Sequence, residues 1–332
     1  MSSDQHSPAG GGSLSQDALA AHGAETIAAG SKSFALASTM FGNRLRTDVQ
    51  MLYAWCRYCD DVIDGQTLGE DAPDIHLSAQ DQADRLARLK ADTARAFAGE
   101  PTGHAAFDGL SLVVRRHKIP QAYAFDLLDG FAMDVSRRSY QSLDDTLSYC
   151  YGVAGAVGIM MAIVMGVEPQ DDATLDRACD LGLAFQLTNI CRDIVDDARA
   201  DRLYLPAALL EQYGIAPTPG GVLDENNRGA LAMVANQLLD EADRYYSSAT
   251  IGIGKLPPRA GAAIAAARNI YRDIGALIRR KGGAAWNERA YTSKSRKVAL
   301  ALSGSVSGIA RASIGKFTAM PAREGLWQRP KH

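Results

Sequence analysis

Apolar residues recur about every 3.6 positions along most of this chain, the period of an amphipathic helix. Residues 81–98, 123–133, 173–198, 228–248 and 259–278 show it most clearly, in stretches rich in Ala, Leu and Arg. No run of alternating β-branched residues intervenes. Breaks fall where turn chemistry places them: Gly65, Gly99 to Gly103, Pro120, Gly166 to Pro169, Pro206, Pro217 to Gly221, and Pro257-Pro258. The pattern predicts an all-α protein. Residues 153–167 are almost unbroken apolar sequence holding three glycines. That run is shorter than the ~20 residues a membrane span needs, and it reads as a buried helix.

Two helices depart from simple amphipathicity. In 181–206, LGLAFQLTNICRDIVDDARADRLYLP, the residues Gln186, Asn189, Asp193 and Asp197 fall within roughly 80° of one another at 100° per residue. In 48–64, DVQMLYAWCRYCDDVID, Tyr53, Arg57, Asp60 and Asp64 fall within roughly 60°. Like charges four residues apart repel, and the cost grows with burial. The device occurs twice, which asks for a cation. With no His or Cys on these faces, the donors are carboxylate and amide oxygens, the set suited to a hard ion such as Mg²⁺ completed by water and phosphate. The alternative is that both are solvated faces of ordinary amphipathic helices.

At 332 residues and 47% hydrophobic, the chain has enough apolar sequence for a large core. Its net charge of −3 gives no reason to expect a nucleic-acid partner. Residues 1–22 read as a flexible tail, 23–310 as a single all-α domain and 311–332 as a C-terminal tail. The Ser- and Gly-rich start lacks the apolar block of a signal peptide, so a cytoplasmic protein is expected. Five cysteines in helical contexts fit reduced thiols; Cys56 and Cys59 form a Cys-x-x-Cys pair, but the surrounding period is helical, which favours core packing. The six histidines show no zinc spacing, and no phosphate-binding Gly-Lys loop or dinucleotide fingerprint is present.

QLTNICRDIVDDARADRLYLP and YAWCRYCDDVID resemble the two aspartate signatures of the squalene/phytoene synthase family, nearest its bacterial phytoene-forming members. GSKSFALAS at 30–38 and YCYGVAGAVG at 149–158 agree with it too. The resemblance covers roughly residues 25–297 and implies an all-α isoprenoid synthase bundle around a central cavity. It implies Mg²⁺, with Mn²⁺ as a substitute, held by Asp60, Asp64, Asn189, Asp193 and Asp197. It further implies diphosphate contacts from Ser31, Lys32, Ser33, Arg57, Gln186, Arg192 and Arg289, with Tyr53, Tyr149 and Tyr271 near the reacting carbons. Helix capping by Ser31, and pairing of Arg57 and Arg192 with acids of their own helices, are the plainer alternatives. The implied reaction joins two geranylgeranyl diphosphates head to head, through prephytoene diphosphate, to 15-cis-phytoene, with no NADPH. Squalene or dehydrosqualene formation from farnesyl diphosphate stays open, as does a catalytically silent assembly protein of the same fold. Lipid-like substrate and product point to transient peripheral docking on a membrane. Oligomeric state is left open.

A final expectation concerns chain length. Ser31, Ala35, Ser38 and Gly42 fall within roughly 60° on one helical face, so small side chains would line the prenyl channel or pack closely on a neighbouring helix.

Overall fold

Short polar caps open the early helices of the computed structural model, which describes residues 14–67, 70–71, 78–288, 292–315 and 320–332. Ser15 caps α1 (Gln16–Gly30) and Ser31 caps α2 (Lys32–Ser38), each accepting from the backbone three residues on. α3 (Asn43–Asp64) carries the first acidic pair and stops at Gly65, whose φ of 68° lets its N–H return to the Asp61 carbonyl. A two-residue antiparallel hairpin, β1 (Gln66–Thr67) with β2 (Glu70–Asp71), follows in an otherwise helical chain. Then come α4 (Ala79–Ala98), α5 (Ala105–His117) and α6 (Gln121–Val135). α7 (Leu143–Cys150) runs through a π turn at Tyr151–Gly155 into α8 (Ala156–Val164).

α9 (Asp172–Arg199) carries the second acidic set. The short α10 (Ala207–Gln212) and α11 (Pro219–Leu223) lead to α12 (Arg228–Ile253), α13 (Pro258–Lys281) and α14 (Lys294–Gly315). All five segments with the clearest period lie inside α4, α6, α9, α12 and α13.

The predicted buried helix at 153–167 is the second half of the π turn with α8. The continuous span Leu143–Val164 is long and apolar enough to cross a membrane by composition, yet 67% of its most apolar window is buried in protein. It is a core helix. Its glycines allow a backbone-to-backbone approach: a Cβ on Gly158 would lie 2.5 Å from the Ala178 carbonyl oxygen, and one on Gly182 would lie 2.3 Å from that of Ala154. α8 and α9 therefore touch along their axes. The core is contiguous, centred on Trp55, Phe107, Leu110, Leu128, Tyr245 and Tyr246.

The expected tail bounds shift where the structure describes them; residues 1–13 and 316–319 lie outside the described residues. Residues 16–22 form the first turns of α1, anchored by buried Leu19. Of 311–332, the first five residues complete α14, and 320–332 lie against the bundle through Arg323 to Asp180 and Arg329 to Asp172 and Asp176. The arginines find carboxylates on α9.

Candidate active site

Helices α2, α3, α6, α8, α9, α12 and α13 wall a cavity of about 410 Å³. Tyr53, Arg57, Asp60, Asp64, Tyr149, Gln186, Asn189 and Tyr271 all line it. Asp193 and Asp197 follow Asn189 along α9, outside the lining. Arg202, just past the end of α9, reaches across to Asp64 on α3 at 2.5 Å, so the two acidic helices meet at one rim. Arg289 lies outside the described residues, as do the side chains of Lys32 and Ser33.

The acids at the rim strain one another. Burial and the neighbouring Asp64 push the Asp60 carboxyl up to about 7. Burial and Asp193 do the same to Asp197, also to about 7. Arg57 sits between Asp60 at 3.1 Å and Asp61 at 2.6 Å, and Arg192 grips the adjacent Asp193 with two nitrogens. Both arginines thus pair with acids of their own helices. Ser31 likewise serves as a helix cap, accepting from the Phe34 N–H at 3.3 Å.

A metal fits the donor set, although no three described His, Cys, Asp or Glu residues converge to hold one unaided. The Asn189 side-chain oxygen is buried without a hydrogen-bond partner, in line on α9 with Asp193 and Asp197. A buried acceptor left unpaired is costly, and a cation satisfies it. Oxygen from a bound diphosphate and water would complete such a shell.

Two groups of residues here were not foreseen. Asp134 on α6 accepts from the Tyr204 hydroxyl at 2.8 Å and the Tyr149 hydroxyl at 3.2 Å, and burial pushes it up to about 6. The two tyrosine rings stack at 4.6 Å. Phe34 and Phe185 complete an aromatic wall with Tyr53 and Tyr271: Phe185 stacks on Tyr271 at 4.2 Å, and Phe34 lies 5.9 to 6.4 Å from its three neighbours. Tyr53 fits because residue 30 is glycine; a Cβ there would lie 2.6 Å from its hydroxyl. Arg202, Tyr204, Phe34 and Phe185 all sat within or beside the quoted motifs. Asp134 had no local signal.

The stripe from Ser31 to Gly42 does not exist as one helical face. α2 ends at Ser38, and the Arg46 side chain donates to the carbonyls of Ser38, Thr39 and Phe41 at 3.1, 2.7 and 3.1 Å. Gly42 instead precedes α3 as its cap. Ser38 does line the cavity, beside Phe34, Ala37 and Phe41. Cys56 and Cys59 are free thiols with burial pushing both up, which suits packing and not redox exchange.

An apolar, helix-walled chamber with an acidic rim defines an enzyme of the all-α isoprenoid synthase class. Residues 27–296 match the Squalene/phytoene synthase family, and the chain belongs to that family. It is 50% identical to the 15-cis-phytoene synthase of Pantoea ananas over 318 residues, covering 96% of this chain and 100% of that protein. It is 49% identical to the 15-cis-phytoene synthase of Paracoccus sp., covering 93% and 97%. A solved dehydrosqualene synthase in complex with ligand matches with a TM-score of 0.77 at 25% identity, over 88% of this chain and 96% of that one. Squalene synthase HpnC of Alicyclobacillus acidocaldarius matches at 0.70 and 23% identity over 82% and 98%, a likeness of fold.

Proposed function

We propose that this protein is a prenyltransferase that condenses two geranylgeranyl diphosphates head to head to 15-cis-phytoene, releasing diphosphate. The observation that carries this is the apolar cavity rimmed by Asp60, Asp64 and Asn189, in a chain half identical to phytoene synthases over nearly its whole length. The reaction is redox-neutral and calls for no NADPH. Asp60, Asp64, Asn189, Asp193 and Asp197 are the residues that would hold Mg²⁺. When bound, the metal neutralises the diphosphate and makes it a better leaving group.

The chain's own residues do the rest. Arg57, Arg192 and Arg202, now paired with carboxylates, are placed to share their charge with diphosphate oxygens once those carboxylates are engaged. The faces of Phe34, Tyr53, Phe185 and Tyr271 stabilise allylic positive charge without offering a nucleophile. Asp134 holds the Tyr149 hydroxyl in a fixed direction at the cavity wall. The apolar walls around Val157 and Met161 keep water from the cation. Incubation with labelled geranylgeranyl and farnesyl diphosphates, followed by product chromatography, tests the reading. A 40-carbon hydrocarbon is expected, and only a 30-carbon one from farnesyl diphosphate would overturn it.

Ser38 offers a sharper test of chain length. Ser38→Phe is expected to reduce use of geranylgeranyl diphosphate more than farnesyl diphosphate, because the ring enters the cavity. If the position matters only for packing, the ring would cost about 1–3 kcal/mol of stability and affect both substrates alike. Thermal melts with a two-substrate competition separate these outcomes.

Cytoplasmic action with transient membrane docking completes the reading. Supporting it, Val298, Leu302, Val306 and Ile309 lie 48–72% exposed along α14. That helix carries Lys294, Arg296, Lys297 and Arg311 and no acid. Val306→Asp is expected to weaken co-sedimentation with phosphatidylglycerol vesicles; unchanged binding would argue against this face.

A further inference from the structure

The cavity's far end lies on α9 about 18 Å from Asn189, at the 1.5 Å rise of 12 residues. There Thr174, Arg177 and Gly252 form its lining. Gly252 is required by Arg177: a Cβ on it would lie 2.6 Å from the Arg177 Cβ. The buried Arg177 guanidinium donates to Ser248 at 2.6 Å and to the carbonyl of Pro321 at 2.5 Å. The C-terminal residues therefore hold a side chain that walls the substrate chamber.

They are fastened there by an unusual match of charge. Asp172, Asp176 and Asp180 repeat the four-residue acid spacing of the rim, but here the counter-charges come from the chain itself. Arg323 pairs with Asp180 at 2.6 Å, Arg329 with Asp172 at 2.5 Å and Asp176 at 2.6 Å, and Lys331 with Asp176 at 2.7 Å. Between the arginines, Trp327 lies 5.5 Å from the ring of Tyr151 in the π turn, two residues past Tyr149. The Trp327 N–H donates to Tyr245 at 3.2 Å. Thr174 presents a buried hydroxyl oxygen with no partner at this same end, a ready first contact for water entering from below.

We propose that residues 320–332 back the floor of the prenyl cavity, a strap behind the lining that pins Arg177 where the substrate chain stops and seals the chamber against water. The inference rests on the prenyl transfer proposed above. Breaking the seal has a defined chemical outcome. The allylic C–O bond breaks with its electron pair leaving on diphosphate; a water oxygen then bonds to the carbon and a proton passes to solvent, giving prenyl alcohol in place of hydrocarbon.

The test measures the ratio of alcohol to hydrocarbon from labelled geranylgeranyl diphosphate. Three full-length proteins are compared: parent, Trp327→Ala and Arg329→Lys. Neither substitution touches a residue at the acidic rim, and Trp327→Ala keeps every ion pair of the strap. The alcohol fraction is expected to rise about fivefold or more in Trp327→Ala, with total diphosphate release reduced far less. Trp327→Phe, which keeps a ring on Tyr151, is expected to restore the parent ratio. A folded Trp327→Ala or Arg329→Lys with the parent's ratio would overturn the proposal. Should Trp327→Ala fail to fold, Arg329→Lys decides by the same ratio. A parent that releases no diphosphate would instead overturn the reading of function.

Discussion

Alanine at Asp60, Asp64, Asp193 or Asp197 is expected to lower turnover on the order of 10³-fold while leaving the helical circular dichroism spectrum unchanged. Each carboxylate is one of the oxygen donors that would balance a departing diphosphate, and such electrostatic contributions act at full strength only when preorganised. Stability is expected to follow a different order. Asp64→Ala strips Arg202 of its partner and Asp193→Ala strips Arg192 of its own, so these two melting temperatures should fall most.

Asp60→Asn should behave oppositely without metal. Its folded pKa of about 7 stands above the ordinary value of 3.8, so the native state holds the proton longer than the unfolded chain does. The carboxyl's stabilising contribution is complete below pH 3.8 and is lost as pH rises through 7. The amide should therefore raise the melting temperature at pH 8 and have little effect at pH 4. The 40% accessibility of the Asp60 side chain, on the cavity wall, tempers the size of the gain. Near-parent turnover in any of the four alanine variants would sink the role assigned to that aspartate.

Chelation is the second large effect. Activity is expected to vanish in excess EDTA and to return with Mg²⁺ or Mn²⁺, and not with Zn²⁺ at physiological concentration. The reason is the donor set: carboxylate and amide oxygen, with no imidazole among the described lining residues and one thiol, Cys56, that burial keeps protonated. Burial first, and then the neighbouring Asp64 and Asp193, push Asp60 and Asp197 up to about 7, and a bound cation would favour their charged forms. Full product formation in chelator would refute metal-assisted departure.

The acidic helices were legible because their signal is local: carboxylates four residues apart on an apolar helix have few cheap explanations. The long amphipathic helices were legible for the same reason. What stayed hidden is what distant residues do to one another. Arg202 and Asp64 are 138 positions apart, and Tyr204 meets Asp134 across 70. Neither pair has a spacing to read. The helix expected to run from Ser31 past Ser38 is ended by Arg46, whose side chain takes the free carbonyls that a longer helix would have used itself. At the C-terminus, arginine and lysine amid polar residues resemble any solvated tail. Only the acids of α9 make them structural.

Anomalous scattering from Mn²⁺ in crystals soaked with a non-ionisable geranylgeranyl thiodiphosphate tests the central claim most directly. Peaks are expected at the rim between α3 and α9, within coordination distance of Asp60 or Asp64 on one side and Asn189, Asp193 or Asp197 on the other, with the prenyl chain in the cavity. Manganese bound elsewhere, or a diphosphate seated away from both acidic helices, would contradict it.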